Sequence, residues 1–306
     1  MTTPSPSALV PPAEHRFDGT DAILYAVTVF GWSTSWIAMK AQVGIVAPEV
    51  SLLWRFLIAA AAMWIWVGLR RDRLIFPWKE QIGFAGLGLF IFSTNFALFY
   101  SGAVGLPSGL LSVVFSLASI GNLALGWVFF RQRLSGRVLI GGLLGFAGVA
   151  AMFSDKIAGT EVTGSALAGL GLCIAGTTCF CIGNQISSVV QRRGIPVLVA
   201  TAWGMTWGCL FLLVGALVRG SPFQFLPTAA YTISLVWLAI VSSVAAFWAY
   251  LTLLGRIGAA RAGYSTVMFP VFALMISTAF EGYVWSTSAF LGLALVIAGN
   301  LFVLRR

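Results

Sequence analysis

The sequence predicts an all-α integral membrane protein. Ten transmembrane helices form two inverted five-helix repeats around a central cavity, with both chain ends in the cytoplasm. Three observations carry this reading. Of the 306 residues, 59% are apolar or aromatic and only 9% are charged, where soluble domains carry about a quarter charged residues. The apolar residues gather into runs close to the roughly 20 residues that cross a bilayer as a helix. Short basic clusters punctuate those runs on alternate sides. Mean hydropathy is +0.95, and so few charges cannot cover a water-soluble surface. A soluble enzyme, a nucleic-acid binder and a disordered chain are therefore excluded. The high pI, about 10.0, does not make nucleic acid a partner, because the basic residues form no single patch.

The spans run approximately over 22–40, 49–69, 79–101, 106–130, 135–153, 163–190, 196–218, 229–254, 259–280 and 285–304. Residues 1–21 read as a cytoplasmic tail with Pro4, Pro6, Pro11, Pro12 and mixed charges. They do not read as a signal peptide, since the apolar run that follows ends at Met39-Lys40-Ala41-Gln42 without a small-residue cleavage site. Orientation follows from the basic residues, which favour the cytoplasmic side. With the N-terminus inside, the inner segments hold Arg16, Arg70, Arg71, Arg73, Lys79, Arg131, Arg133, Arg137, Arg192, Arg193, Arg256, Arg261, Arg305 and Arg306. The outer loops hold only Lys40, Lys156 and Arg219, and Arg55 lies within the second span. The expected location is the bacterial inner membrane, with the bilayer as partner and the chain acting as a monomer.

Two halves repeat. Gly141 and Gly148 in the fifth span match Gly292 and Gly299 in the last, each pair seven apart. Leu134-Ser135 and Trp285-Ser286 open those spans, and Gly105-Leu106-Pro107-Ser108-Gly109 matches Gly258-Ala259-Ala260-Arg261-Ala262. Pro48 and Trp54 match Pro196 and Trp203. The shared offset of about 150 residues divides the chain into repeats at 22–153 and 163–304, joined by an external linker at 154–162. Five spans per copy is odd, so the second copy enters from the opposite side, a frequent plan of secondary transporters.

The segment Trp32-Ser33-Thr34-Ser35-Trp36-Ile37-Ala38-Met39-Lys40, then Pro48 and Trp54-Arg55-Phe56, resembles the opening of the EamA-type drug/metabolite transporters. The stretch from Tyr250 to Arg261, followed by Pro270-Val271-Phe272-Ala273 and Glu281-Gly282, resembles the same unit in the second half. Within that family the chain looks most like exporters of aromatic amino acids. The resemblance implies ten helices, two inverted repeats and export of small metabolites. Two positions depart from the family pattern: Leu117 stands where a proline matching Pro270 is common, and Phe130-Arg131 where an acidic residue is usual.

Polar residues at helical spacing mark faces turned away from lipid. Trp32 and Trp36 share a face of the first span with Lys40, which also suits an interfacial anchor. Phe92, Asn95, Phe96 and Phe99 form an i, i+3, i+4, i+7 stripe in the third. Ser108, Ser112, Ser116 and Ser119 descend the fourth, either lining a cavity or letting helices approach closely. Thr177, Cys181, Asn184 and Ser188 do so in the sixth, Ser243, Phe247 and Tyr250 with flanking Trp248 in the eighth, and Tyr264, Met268 and Met275 in the ninth. The expected substrate-binding set is Trp32, Trp36, Asn95, Phe99, Ser112, Ser116, Asn184, Phe247, Trp248 and Met268. Arg55 either meets a substrate carboxylate or plays a structural part, snorkelling or tying down carbonyls. Pro270 is either a hinge or a static kink.

Aromatic walls stack on a ring while amides and hydroxyls meet an ammonium and a carboxylate, which suits an aromatic amino acid. No Asp, Glu or His falls within a span away from its ends, so facilitated exchange is expected rather than tight proton coupling. Cys173, Cys179, Cys181 and Cys209 lie in apolar stretches, and His15 in the tail. No metal site, disulfide framework, cofactor or catalytic residue is expected.

Overall fold

The computed structural model describes residues 18–104, 106–131, 136–158, 165–262 and 264–304. His15, Arg16, Gly105, Arg133, Leu134, Ser135, Glu161, Arg305 and Arg306 lie outside the described residues, as do 159–162 of the proposed linker, whose first part, 154–158, is helical. The elements among the described residues are all helices, with no strand among them. In a bilayer every backbone polar group needs an internal partner, which leaves helices as the solution for such apolar runs.

Ten helical rods follow in chain order: α1 Gly19–Lys40, α2 Pro48–Arg70, α3 Trp78–Gly102, α4 Ser108–Phe130, α5 Gly136–Ala158, α6 Ser165–Arg192, α7 Val197–Arg219, α8 Ala229–Gly258, α9 Tyr264–Glu281 and α10 Thr287–Leu304. Seven of them, α1–α4 and α6–α8, hold stretches long and apolar enough to cross a membrane; the apolar parts of α5, α9 and α10 are shorter. The helix starts are written in the sequence. Pro48 is the first residue of α2, and Pro77, Pro107 and Pro196 cap α3, α4 and α7, positions where a missing N–H costs nothing. Asp18 and Asp21 cap α1 reciprocally, each carboxylate accepting from the other's backbone N–H.

Polar ties gather the helix termini at two ends. At the Arg192 end, Arg256 bonds Asp21 at 2.7 Å and Asp18 at 2.9 Å, and Arg193 bonds Glu80 at 3.2 Å. At the Lys40 end, Lys40 donates to the Ala103 carbonyl at 3.1 Å, where a cation suits the C-terminus of α3. Ser221 donates to Glu49 at 2.5 Å, and Glu281 accepts from the Ser108 hydroxyl at 2.5 Å and the Ser277 hydroxyl at 2.6 Å.

Packing follows the internal repeat. α1 lies against α8 and α9, and α6 lies correspondingly against α3 and α4; α2 pairs with α7, α4 with α9 and α5 with α10. The repeated glycines explain the last pair. A Cβ on Gly148 would sit 2.5 Å from the Gly292 carbonyl oxygen, and one on Gly299 would sit 2.6 Å from that of Gly141. The two backbones thus touch at both levels, as small residues allow in membranes.

Both repeats also interrupt the same two helices. α3 widens into a π-helix over Phe90–Thr94 and α8 over Leu238–Ala246. α4 breaks at Leu117, and α9 carries Pro270 at the position the repeat offset pairs with it. The departure from proline at Leu117 therefore does not leave α4 unbroken. The break is made by a tightened turn in which the Leu117 N–H donates to the Val114 carbonyl at 3.1 Å.

Replacing Gly292 with Ala should destabilise the fold by about 1–3 kcal/mol, because a methyl there meets backbone that cannot swing aside. Thermal unfolding in detergent would register this. Gly215→Ala, where nothing lies within 4 Å of the added carbon, should cost nothing.

Candidate functional site

Six helices converge on a small central cavity nearer the Lys40 end. α1 contributes Trp32, Ser35, Trp36 and Met39, and α2 contributes Arg55. α3 adds Asn95, Phe96 and Phe99; Phe115 comes from α4, Ser242 and Phe247 from α8, and Phe269 from α9. Of the residues expected to bind substrate, Trp32, Trp36, Asn95, Phe99 and Phe247 are brought together here with Arg55.

The cavity volume is about 40 Å³, room for roughly three waters and far below the ~300 Å³ at which ligand pockets begin. The expected central chamber is thus nearly closed. Its own rings fill it. The Trp32 ring centroid lies 4.8 Å from that of Tyr250 and 5.2 Å from that of Phe247. It also meets Phe115, Phe180 and Phe269 edge-on at 5.9–6.0 Å. Trp36 packs on Phe99 at 5.3 Å and Phe115 at 5.7 Å. Such pairs contribute about 0.5–1.5 kcal/mol each beyond burial, so the plug is cohesive.

Arg55 is 1% exposed. Its Nε donates to the Ser243 hydroxyl at 2.8 Å and a terminal nitrogen donates to Ser242 at 3.3 Å. The guanidinium lies 4.4 Å from the Phe96 ring centroid and 5.3 Å from that of Phe56. The head therefore turns inward to the π-helix of α8 and does not snorkel. Among the described residues no carboxylate lines the cavity or pairs with Arg55. Serine bonds and ring faces offset only part of the cost of a desolvated cation.

Three further polar atoms here lack partners. The indole nitrogens of Trp32 and Trp36 donate to nothing, and Asn95 Oδ1 accepts nothing. Buried polar atoms normally have partners. The lining thus presents unused donors beside a cation, and one unused acceptor.

The other expected residues lie elsewhere. Ser112 and Ser116 are buried, but their hydroxyls donate at 2.6 Å to the carbonyls of Gly109 and Val113 on their own helix. That leaves α4 free to approach α9, where Gly109 faces Leu274. Asn184 sits in a separate amide cluster, donating to Asn122 Oδ1 and to the Tyr250 hydroxyl, both at 3.1 Å. Trp248 packs against Trp66 at 4.9 Å and is not among the residues lining the cavity. Met268 is 48% exposed and lines a lateral groove of about 980 Å³ between α1 and α9 with Phe272 and Met275. Its neighbour Phe269, not singled out from the sequence, is the α9 residue that reaches the cavity. Pro270 is buried beside it. Ser242 was also not anticipated, because the π-helix of α8 brings it inward beside Ser243, which regular helical spacing does not imply.

Comparison with known proteins agrees with this architecture. The chain is 26% identical over 299 residues to a probable amino-acid metabolite efflux pump of Escherichia coli (strain K12), covering 93% of this chain and 96% of that one. It is 25% identical over 286 residues to a probable terminal-alkyne amino-acid exporter of Streptantibioticus cattleyicolor, covering 92% of each. A solved crystal structure shares the fold with a TM-score of 0.69 at 18% identity, over 94% of this chain and 96% of that one. Residues 20–154 and 167–305 each match the EamA-like transporter family. This multi-pass membrane protein belongs to that family, which it matches once in each half.

Proposed function

We propose that this chain exports small amphiphilic metabolites, aromatic amino acids first among them, across the bacterial inner membrane by alternating access. In this reading all ten rods span the bilayer, both chain ends are cytoplasmic and the two repeats are inverted. The Arg192 end faces the cytoplasm because the basic clusters Arg70, Arg71, Arg73 and Arg192, Arg193 lie there. The observation that carries the cargo class is Arg55: a buried guanidinium without an acidic partner, set in aromatic walls, accounts for itself if the cargo brings the carboxylate. The unused indole donors add to the anion's reception, and Asn95 Oδ1 accepts from the ammonium. The relatives named as amino-acid metabolite pump and exporter support the same class.

The plug defines what must move. Cargo with an indole or phenyl ring needs Trp32, Trp36 and Phe269 to part, and Pro270 adjoins the last of these. Transport runs down the cargo gradient, since the carboxylates at helix ends, Asp21, Glu49 and Glu281, are engaged in ties between helices. A second reading, export of a smaller neutral amino acid, draws on the cavity volume of about 40 Å³.

Proteoliposomes preloaded with unlabelled tryptophan should take up labelled tryptophan or phenylalanine by saturable counterflow. Exchange of small neutral amino acids alone would favour the second reading, and unsaturable flux would indicate a pore. Arg55→Lys should raise the half-saturating tryptophan concentration at least about tenfold, because an ammonium cannot reproduce the bidentate fork. A pH gradient alone should drive no uphill accumulation; accumulation would establish proton coupling instead.

A further inference from the structure

The amide cluster around Asn184 has no part in the cavity, yet it carries unsatisfied polarity at the bundle's centre. Asn122 Nδ2 and Asn184 Oδ1 are both buried without partners, in residues that are 2% and 1% exposed. Other bonds hold the cluster together. Asn184 Nδ2 donates to Asn122 Oδ1 and the Tyr250 hydroxyl, and Gln185 Nε2 donates to the Asn122 carbonyl at 3.0 Å. One free donor and one free acceptor therefore stand side by side on α4 and α6.

Their depth differs from that of the cavity. Asn122, Asn184 and Tyr250 come late in α4, α6 and α8, which all run toward the Arg192 end. Arg55 comes early in α2, which also runs that way, and Asn95 comes late in α3, which runs toward the Lys40 end. At about 1.5 Å per residue the two polar groups occupy different levels. Trp32 lies between them. It lines the cavity, and its ring lies 4.8 Å from that of Tyr250 and 5.9 Å from that of Phe180. Phe180 in turn lies 5.7 Å from Tyr250. The amide cluster thus has an aromatic wall of its own.

We propose that Asn122, Asn184 and Tyr250 form a second cargo station on the Arg192 side of Trp32, which receives the cargo before it passes Trp32 to reach Arg55. This rests on the amino-acid reading above and deepens it. A free amide donor suits the carboxylate of a zwitterion, and the adjacent free carbonyl oxygen suits its ammonium. No charged group is needed, because the cargo's own two charges satisfy the two atoms together. The ring of the cargo lies against Phe180 and Trp32. A single trapped water is the competing occupant.

The test measures half-saturating tryptophan concentrations separately in everted and right-side-out membrane vesicles, from cells lacking their own tryptophan carriers. Asn122→Ala and Asn184→Ala should raise the value at the cytoplasmic face about tenfold, the size expected for a lost bond to a charged group. The value at the opposite face should change less than twofold, and Arg55→Lys should show the reverse asymmetry. Tyr250→Phe keeps the ring contacts and removes only the hydroxyl, so it should show the same sidedness even if the amide variants fail to fold. Equal shifts at both faces, or no shift in folded variants, would overturn the station and favour structure or water alone. Failure of the parent chain to move tryptophan in either vesicle would overturn the aromatic-cargo reading, and the station with it.

Discussion

A guanidinium without a carboxylate, sealed among aromatic rings in the middle of an apolar bundle, is the constraint from which the rest follows. Removing a cation from water is expensive, and two serine hydroxyls and the Tyr100 hydroxyl with two ring faces return only part of that cost. The fold accepts the expense at Arg55 and builds around it. The π-helix of α8 delivers Ser242 and Ser243 together toward the arginine. α3, with its own π-helix, brings Phe96 under the guanidinium and Asn95 beside it. An anion arriving with an apolar body completes this environment, whereas an apolar solute or a cation does not.

The second constraint is closeness. The two repeats meet through glycine backbones at α5 and α10, and through an aromatic plug centred on Trp32 in the interior. The first contact holds the pair rigidly, because no side chain intervenes to yield. The second is made of rings at 5–6 Å that can part and re-form. Interruptions sit near this plug in both repeats, at Leu117 and Pro270 and in the two π-helices. Regular helix lies where the glycine backbones meet, and the interrupted helices line the aromatic plug.

Much of the architecture was legible because lipid imposes simple rules. Apolar length set the helices, and Pro48, Pro107 and Pro196 marked starts that the structure keeps. Trp32 and Trp36 were readable as one face because α1 is a regular helix, and Arg55 stood out as a charge amid apolar residues. The failures have specific causes. Ser242 was hidden because a π-helix changes the angle between successive residues, which brings Ser242 inward alongside the face that Ser243, Phe247 and Tyr250 share. Met268 was chosen over Phe269 because the Tyr264, Met268 and Met275 spacing was followed, although Ser265 and Ser277, buried at i−4 and i+8 from Phe269, mark the inner side of α9. Ser112 and Ser116 looked like lining, but a serine hydroxyl in a helix can satisfy itself on the preceding turn. The break at Leu117 had no proline to announce it.

In the proposed transport cycle Arg55 receives the carboxylate of a small amphiphile inside an opened aromatic plug. An experimental structure of the chain saturated with tryptophan tests it most directly. The cargo carboxylate should lie within about 3 Å of the guanidinium, with its indole lodged among Trp36, Phe99 and Phe269. Cargo density away from the cavity, with Arg55 still bonded only to groups of the protein such as Ser242, Ser243 and Tyr100, would contradict it.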